Sequence, residues 1–581
     1  MSYKAKYREW LISDYFDEET KAELESIEDN EQEIEDRFYK DLTFGTGGMR
    51  GKIGAGTNRI NKYIIRKATQ GFANYIINYL DEGRDRGVVI SYDSRHKSRE
   101  FARETALVLN GNGIKTYLFD ELRPTPELSF AVRELNAVGG VMVTASHNPP
   151  EYNGYKVYDE DGCQAVPEKA RKIISEIDEI DDFNLIKRMN KETAKAEGFF
   201  NIIGAEIDDR YIEEVKKIIP DKDLAHNKGQ NLSMIYTPLH GTGNKPVRRL
   251  LTELGFDNLE VVEEQTKVDP DFSTVEQPNP EDEKAYKLAL EQAEKNNKES
   301  DLILSTDPDC DRLGILVKHE GEYRSLSGNE LGILLGDYLL NKFEAKNKLP
   351  ENGVIIKTIV TTEMVRKIAD EFNVEVIDVL TGFKFIGEKM TEFENDSRNF
   401  IFGFEESYGY LAGNYARDKD AVLASGLSAV MTLYYKEQGK TLYDRLAELR
   451  EKYGYYQENL KSIKLEGKVG QEKIDGTIKS LRQEKSKQLF GEKVIKFKDY
   501  LKQKCLNYKE NTEKEIKLPK SNVLQYILED ETLITVRPSG TEPKLKLYFA
   551  VRAKSQEKAA TKLEEYVTEF TSKVNDIISE I

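Results

Sequence analysis

Four short stretches of this sequence carry residue types, in an order, that can do chemistry. The first is Thr144-Ala145-Ser146-His147-Asn148-Pro149-Pro150. Val141 to Val143 just before it reads as the end of a buried strand, and Gly139-Gly140 lets backbone pack closely. Two prolines then stop strand and helix alike. A serine on a tight loop at a strand end is placed to act as a nucleophile or phosphate carrier, although most loop serines only shape turns. No G-x-S-x-G elbow surrounds Ser146, which argues against a hydrolase triad. The phosphate site, the metal and the acid or base must come from elsewhere in the chain.

The second stretch is Ser305-Thr306-Asp307-Pro308-Asp309-Cys310-Asp311-Arg312. In extended backbone, aspartates at i, i+2 and i+4 leave the same face. Three carboxylates that close repel one another unless a cation sits among them. Oxygen-only donors select a hard ion, Mg²⁺ first and Mn²⁺ second. A calcium-binding EF-hand is excluded, because Arg312 stands where that loop needs glycine and Lys318 where it needs glutamate. An exposed acidic turn is the plainer alternative. It is disfavoured by the apolar strand directly before the triplet, since α/β proteins place ligands at strand ends.

The third stretch, Val536-Arg537-Pro538-Ser539-Gly540-Thr541-Glu542-Pro543-Lys544, gathers a guanidinium, two hydroxyls and glycine-freed backbone. That is the donor set of a phosphate cradle, with a plain hairpin turn as the alternative. The fourth, Phe402-Gly403-Phe404-Glu405-Glu406-Ser407-Tyr408-Gly409-Tyr410, offers Glu405 and Ser407 to sugar hydroxyls, though acidic residues at strand ends are often helix caps. Arg417 and Lys419 add cations shortly after it, and Thr381-Gly382-Phe383-Lys384 is a similar turn after a strand. The glycine-rich segment Phe44 to Gly54 is neither a Walker loop nor a dinucleotide fingerprint: Ile53 replaces the Walker Ser/Thr and Arg50 the last fingerprint glycine.

The elements that must position these loops alternate. Ile64 to Leu80, Phe101 to Leu109 and Glu127 to Leu135 read as helices between strands Gly87 to Asp93, Lys115 to Phe119 and Val141 to Val143. Ser233 to Tyr236, Leu259 to Val262 and Leu302 to Ser305 repeat the pattern around helices Val247 to Leu254 and Glu281 to Asn296. Val354 to Val360, Val374 to Val379 and Asn399 to Phe402 repeat it again, with helices Glu330 to Leu340, Thr362 to Phe372 and Ala421 to Tyr435. Such alternation predicts α/β layers with mostly parallel sheets in three related units. Gly454 to Ser521 reads as a linker plus peripheral helices. Leu533 to Val536 and Leu545 to Ala550 read as paired strands. The closing helix carries Leu563, Tyr566, Val567, Phe570, Val574 and Ile577 on one face, giving an α+β module.

A net charge of −18 argues against general binding to nucleic acid or to anionic membranes. Three cysteines, at Cys163, Cys310 and Cys505, have no metal-site spacing and imply no disulfide framework. The N-terminus lacks an apolar signal region and no apolar run reaches bilayer length, so a cytoplasmic protein is expected.

T-A-S-H-N-P at Thr144 to Pro149, D-P-D-C-D-R at Asp307 to Arg312, G-F-E-E-S at Gly403 to Ser407 and R-P-S-G-T-E-P at Arg537 to Pro543 occur in that order. Together they resemble the α-D-phosphohexomutase superfamily, most closely its long-chain phosphoglucomutase branch, over nearly the whole chain. The resemblance implies an α/β fold of four domains around a central cleft, three related α/β mixed-sheet domains and a C-terminal α+β domain: 1–205 with the phosphoserine loop, 206–325 with the metal loop, 326–455 with the sugar loop, and 456–581 with the phosphate loop. It implies that Ser146 is the phosphoserine and that Asp307, Asp309 and Asp311, with a phosphate oxygen on Ser146, hold one Mg²⁺. It implies that Arg50, His147, Lys156 and Arg312 line the transfer site. Glu405 and Ser407 would read sugar hydroxyls, and Thr381, Gly382, Arg417 and Lys419 would complete the substrate loops. Arg537, Ser539, Gly540 and Thr541 would clamp the non-transferring phosphate.

The implied activity is reversible conversion of α-D-glucose 1-phosphate to glucose 6-phosphate through glucose 1,6-bisphosphate, by a monomer or weak homodimer. Lys156 is the expected acid/base, on the argument that a cationic surround lowers a lysine pKa, with His147 as the alternative. Tyr408, Gly409 and Tyr410 stand where some phosphomannomutase-type members carry a histidine, which leaves the base and the sugar preference open. Phosphopentomutase, phosphomannomutase, a metal-dependent phosphatase and a non-catalytic sugar-phosphate-binding regulator are the alternatives.

Overall fold

The computed structural model describes residues 2–45, 47–295, 300–465, 467–539 and 544–581. It divides into two compact units: Met1–Asn352 with Phe383–Thr441, and Gly353–Gly382 with Leu442–Ile581. The segment 326–455 contributes to both.

The first unit opens with three short helices, Tyr3–Ile12, Glu18–Glu25 and Glu31–Phe38, capped by Ser2, Asp17 and Asn30. Their apolar residues are sparse but converge. Trp10, Phe16, Leu24, Ile34 and Phe38 bury against Tyr63, with Trp10 stacked on Phe16. The first sheet follows, with strands β1 (Gly48–Lys52), β2 (Val88–Tyr92), β3 (Thr116–Phe119), β4 (Gly139–Val143), β5 (Tyr152–Asp159) and β6 (Phe200–Ile203) in the order β1-β5-β4-β2-β3-β6. β2 runs parallel to β3 and β4, and β3 to β6, whereas β5 is antiparallel to both β4 and β1. The second sheet has β7 (Met234–Thr237), β8 (Leu259–Val261), β9 (Leu302–Thr306), β10 (Leu313–His319) and β11 (Glu322–Leu326), ordered β11-β10-β9-β7-β8. Here β8, β7 and β9 are parallel and β10 and β11 antiparallel.

The sheets are mixed, the parallel strands expected of α/β layers being joined by antiparallel ones. The antiparallel edges arise because a tight turn after β4 and another after β9 send the chain straight back, without a crossover helix. Those two turns carry Ser146 and the aspartates. The strand pair Asn399–Glu405 and Gly409–Ala412 makes a third such reversal, and the helix Ala421–Lys436, buried along nearly its whole length, packs beside it.

The second unit pairs Gly353–Thr358 with Glu375–Val379 in parallel. It then builds an antiparallel sheet on which the helix Gln556–Glu580 lies, with Tyr566, Phe570, Val574 and Ile578 buried. The stretch from Gly454 to Ser521, read as a linker plus peripheral helices, holds one long helix and, in place of a linker, several strands. Strand Tyr455–Lys464 pairs antiparallel with Lys544–Ala553, helix Gly467–Glu484 follows, and strands Glu492–Asp499 and Lys504–Asn507 join the same sheet. Tyr455–Lys464 exposes most of its side chains, so it lacks the apolar alternation that would reveal it. Among the described residues no helix is long and apolar enough to cross a membrane.

Candidate active site

The aspartate loop lies between β9 and β10. Its carboxylates do not converge by strand alternation, as extended backbone would require. The loop is a turn in which Cys310 takes a left-handed φ of 52° and the Asp307 carboxylate accepts the backbone N–H groups of Asp311 and Arg312 at 3.1 and 3.0 Å. That turn folds three carboxylates to one point. One ligand oxygen from each of Asp307, Asp309 and Asp311 lies within 4.8 Å of the others, all three residues being buried. Oδ1 of Asp309 and Oδ1 of Asp311 are buried without a hydrogen-bond partner. Unpaired buried carboxylate oxygens cost several kcal/mol unless a cation meets them, so this donor set fits a hard divalent metal ion.

Residues far apart in sequence hold that loop. Thr125, at the start of the helix Thr125–Glu134, donates its N–H to the Asp309 carbonyl and its hydroxyl to Asp309 Oδ2, both at 2.9 Å. Thr242 N–H donates to the Pro308 carbonyl at 2.8 Å, Leu313 N–H to Tyr408 at 3.1 Å, and Ala421 N–H to Cys310 at 3.2 Å. Gly241 touches the loop so closely that a Cβ there would sit 2.6 Å from the Pro308 Cα.

Ser146 follows β4 in a left-handed conformation, φ 51°, which is uncommon for a residue with a side chain. Its Oγ donates to Asp307 Oδ2 at 2.8 Å and lies 3.2 Å from His147 Nδ1. Asp93 and Arg95, just after β2, hold the serine loop. The Thr144 hydroxyl donates to Asp93 Oδ2 at 2.6 Å and in turn accepts the Ser146 N–H at 2.8 Å. The Arg95 guanidinium, 3.3 Å from Asp93, donates to the carbonyls of Ser146 (2.5 Å), Pro149 (2.8 Å) and Asn148. None of Asp93, Arg95, Thr125 or the turn Leu239 to Gly243 stood out in the sequence. Asp93-Ser94-Arg95 directly after a buried strand was the available signal.

Cations surround the carboxylates. Lys156 on β5 places Nζ 2.8 Å from Asp309 Oδ2 and 3.5 Å from Asp311 Oδ2. Lys419 reaches Asp311 at 2.7 Å. It passes over Gly409, where a Cβ would lie 2.2 Å from its Cδ. Arg312 pairs with Glu281, and Arg50 on β1 donates to Asn148 Oδ1 at 2.7 Å. The electrostatics overturn one expectation. Lys156 sits among anions, not cations: burial opposes its charge, but Asp309 and Asp311 outweigh burial and its pKa is raised. Lys156 thus holds its proton. Burial and the neighbouring Asp309 and Asp311 push the Asp307 carboxyl well up. Burial works against ionised Asp309 too, but Lys156 outweighs it and the pKa falls. Burial, with Arg312 and Arg50, drives His147 well down, so its imidazole is neutral. Burial pushes Glu405 up to about 7 against the pull of Lys419.

Glu405 ends its strand and Ser407 lies in the reversal that follows. Arg417 is not brought to the aspartates. Its guanidinium is buried on the Asn414 and Ala416 carbonyls and on Glu394. Thr381 and Gly382 follow the strand Glu375–Val379 in the second unit, with Gly382 at φ 113°. Arg537 lies in the strand Leu533–Pro538, and Ser539 N–H donates to the Lys544 carbonyl at 2.8 Å. Gly540 and Thr541 lie outside the described residues.

Comparison with known proteins agrees with this geometry. Residues 41–184, 209–321 and 327–453 match the phosphoglucomutase/phosphomannomutase alpha/beta/alpha domains I, II and III, and residues 483–568 match the C-terminal domain. A phosphoglucomutase from Staphylococcus haemolyticus is 39% identical over 92% of this chain and 94% of its own length. One from Staphylococcus aureus is 38% identical over the same shares. Among solved structures, the Paramecium phosphoglucomutase pp63/parafusin matches with a TM-score of 0.70 at 19% identity, covering 93% of this chain and 96% of that one. A Burkholderia thailandensis family protein matches at 0.62 and 18%, covering 92% and 97%. At those identities the structures speak for the fold, and the family's reliance on metal accords with the buried carboxylates. With four domain matches in order and relatives aligned along nearly their full length, the chain belongs to the phosphoglucomutase/phosphomannomutase family.

Proposed function

We propose that this chain interconverts α-D-glucose 1-phosphate and glucose 6-phosphate, with Ser146 as the phosphoryl carrier. The observation that carries the reading is the Ser146 Oγ at 2.8 Å from Asp307 Oδ2, inside a buried carboxylate cluster. A phosphatase-like triad has no place there. A serine ester beside a metal site is instead a phosphoryl donor and acceptor.

Asp307, Asp309, Asp311 and a phosphate oxygen on Ser146 would hold one Mg²⁺, which supplies positive charge against the oxygens of the transferring group. Phosphorylated Ser146 gives its phosphoryl to the 6-hydroxyl of glucose 1-phosphate. The resulting glucose 1,6-bisphosphate reorients, and its 1-phosphoryl returns to Ser146 as glucose 6-phosphate leaves. The same bisphosphate, supplied from outside, would charge an unphosphorylated enzyme. Lys156, which keeps its proton, Lys419, Arg312 and Arg50 neutralise charge in the transfer site. Neutral His147 relays one proton in each transfer, from the sugar 6-hydroxyl to the Ser146 Oγ in the first and from the Ser146 hydroxyl to the sugar 1-oxygen in the second. Glu405 and Ser407 read the sugar hydroxyls with Thr381 and Gly382. Arg537, Ser539, Gly540 and Thr541 clamp the phosphate that is not moving. Arg417 serves by shaping the segment that delivers Lys419. The protein acts in the cytoplasm, as a monomer or weak homodimer, without nucleic acid or membrane partners.

Ser146→Ala is expected to lose turnover by several orders of magnitude while keeping its far-UV spectrum. The wild-type chain, incubated with glucose 1,6-bisphosphate, is expected to gain about 80 Da on Ser146. Full activity in Ser146→Ala would sink the carrier mechanism. A higher kcat/KM on mannose or ribose 1-phosphate than on glucose 1-phosphate would move the substrate within the family.

A further inference from the structure

The first sheet carries a cavity of about 380 Å³ that no residue of the serine or aspartate loops lines. That is within the size range of small-ligand sites. Its floor comes from three adjacent parallel strands: Tyr92 at the end of β2, Leu118 and Phe119 at the end of β3, and Phe200 and Ile202 on β6. Leu118 and Ile202 are register partners, and Tyr92 and Phe200 fall on the same face by strand alternation, whereas Phe119 belongs to the opposite face. Tyr92 and Leu118 lie at the carboxyl ends of β2 and β3, the side of open α/β sheets where ligands bind, while Phe200 begins β6. The floor residues are buried except Ile202, which is 52% exposed and leaves an apolar wall in water.

The walls are basic. Arg99 and Arg103 come from the helix Ser98–Gly111, and Lys191 and Lys195 from the helix Lys191–Ala196. Two carboxylates also line the cavity, and both are already engaged elsewhere. Glu100 pairs with Lys97 at 3.1 Å and Asp120 with Arg123 at 3.2 Å. Among the described residues Arg99, Arg103 and Lys195 make no ion pair or hydrogen bond, and Lys191 only overlooks the Phe200 ring at 6.0 Å. In a chain of net charge −18, such a concentration of unneutralised cations over one apolar-floored hollow is unexpected for plain surface. Cations raise the local concentration of anions, and the apolar floor adds contact area for a ring.

We propose that this cavity binds a nucleoside phosphate, with the base over Tyr92, Leu118 and Ile202 and the phosphates between Arg99, Arg103 and Lys195. A free sugar phosphate presents the same anion but no apolar ring face, so the floor favours the nucleotide. The site is independent of the reading given to Ser146. It is also close to it in structure: Tyr92 lines the cavity, and the next residue, Asp93, holds Thr144 and Arg95.

The test is calorimetric titration of the full chain with ADP, and in parallel with glucose 6-phosphate, each with and without saturating glucose 1-phosphate. The expected result is saturable ADP binding that survives glucose 1-phosphate and weakens with added salt. Arg103→Glu combined with Lys195→Glu is expected to weaken ADP at least about tenfold, equivalent to about 1.4 kcal/mol. That variant should keep kcat/KM and melting temperature, since neither residue makes an ion pair or touches the catalytic loops. No saturable ADP binding would overturn the proposal. So would ADP displaced by glucose 1-phosphate, ADP binding unchanged in the double variant, or glucose 6-phosphate binding there more tightly than ADP.

Discussion

Ser146 is held by its backbone more than by its side chain. Its carbonyl, and those of Asn148 and Pro149, converge on one guanidinium, Arg95, which is itself paired with buried Asp93. Arg95→Ala would leave the Asp93 carboxylate buried without its countercharge. The expected cost is about 3–5 kcal/mol, measured as a lower urea midpoint, together with a fall in kcat from the loosened serine loop. Gly409→Ala tests a different geometry. The added Cβ meets the Lys419 Cδ, so the lysine must leave Asp311. Because a flexible side chain can move away, stability should hold while kcat/KM falls by about tenfold, a loss of about 1.4 kcal/mol in the transition state. Unchanged kinetics in Gly409→Ala would show that the Lys419 ammonium is dispensable.

At the scale of elements, the helix Ser98–Gly111 is fixed through Glu104. That carboxylate lies between Arg66 and Arg188 at 2.8 Å from each. Burial alone would raise its pKa, but the two arginines overcome burial and lower it. The folded protein therefore binds this proton less readily than the unfolded chain. The pair's contribution is fully present above the unfolded-state value of about 4.3 and is lost as pH falls through the lower, folded one. Glu104→Gln should cost about 2 kcal/mol at pH 7, with the gap to wild type closing in urea titrations as the pH falls below the unfolded-state value. In the second unit, Phe570 is fully buried against Tyr526 and Phe549. Phe570→Ala should cost about 3–5 kcal/mol, read as an earlier thermal transition.

Legibility in the sequence followed burial. β2, β4, β7 and β9 are continuous apolar runs between turn residues, and each was readable to within a residue or two. β1 and β5 were not, because Gly48-Met49-Arg50-Gly51-Lys52 and Tyr152 to Asp159 mix glycine, charge and aromatics. The strands between Tyr455 and Asn507 are rich in lysine and other polar residues, and Tyr455–Lys464 has no buried side chain, so the stretch resembles a solvated linker. Ser146 and the aspartates were visible because each group sits just past a buried apolar strand. Arg95, Thr125 and Gly241 were not, because each acts on a partner at least fifty residues away, and local pattern carries no such information.

For the whole molecule, metal is a ligand of the folded state alone, since the unfolded chain does not assemble the carboxylates. By mass action, Mg²⁺ at 100 times its dissociation constant should add about 2.7 kcal/mol. Chelator treatment should lower the melting temperature and abolish turnover, and Mg²⁺ should restore both. A melting temperature indifferent to Mg²⁺ and Mn²⁺ would remove the carboxylate cluster from consideration as a metal site.

The aspartate loop is tied to Thr125 on one side and to Tyr408 and Ala421 on the other. As the chain leaves the ribosome, Asp307 to Asp311 therefore emerge well before two of the groups that lock them. A nascent chain ending near residue 330 would hold all three carboxylates and still lack those locks. The carboxylate cluster would then reach its final geometry late in synthesis, after Ala421 has docked.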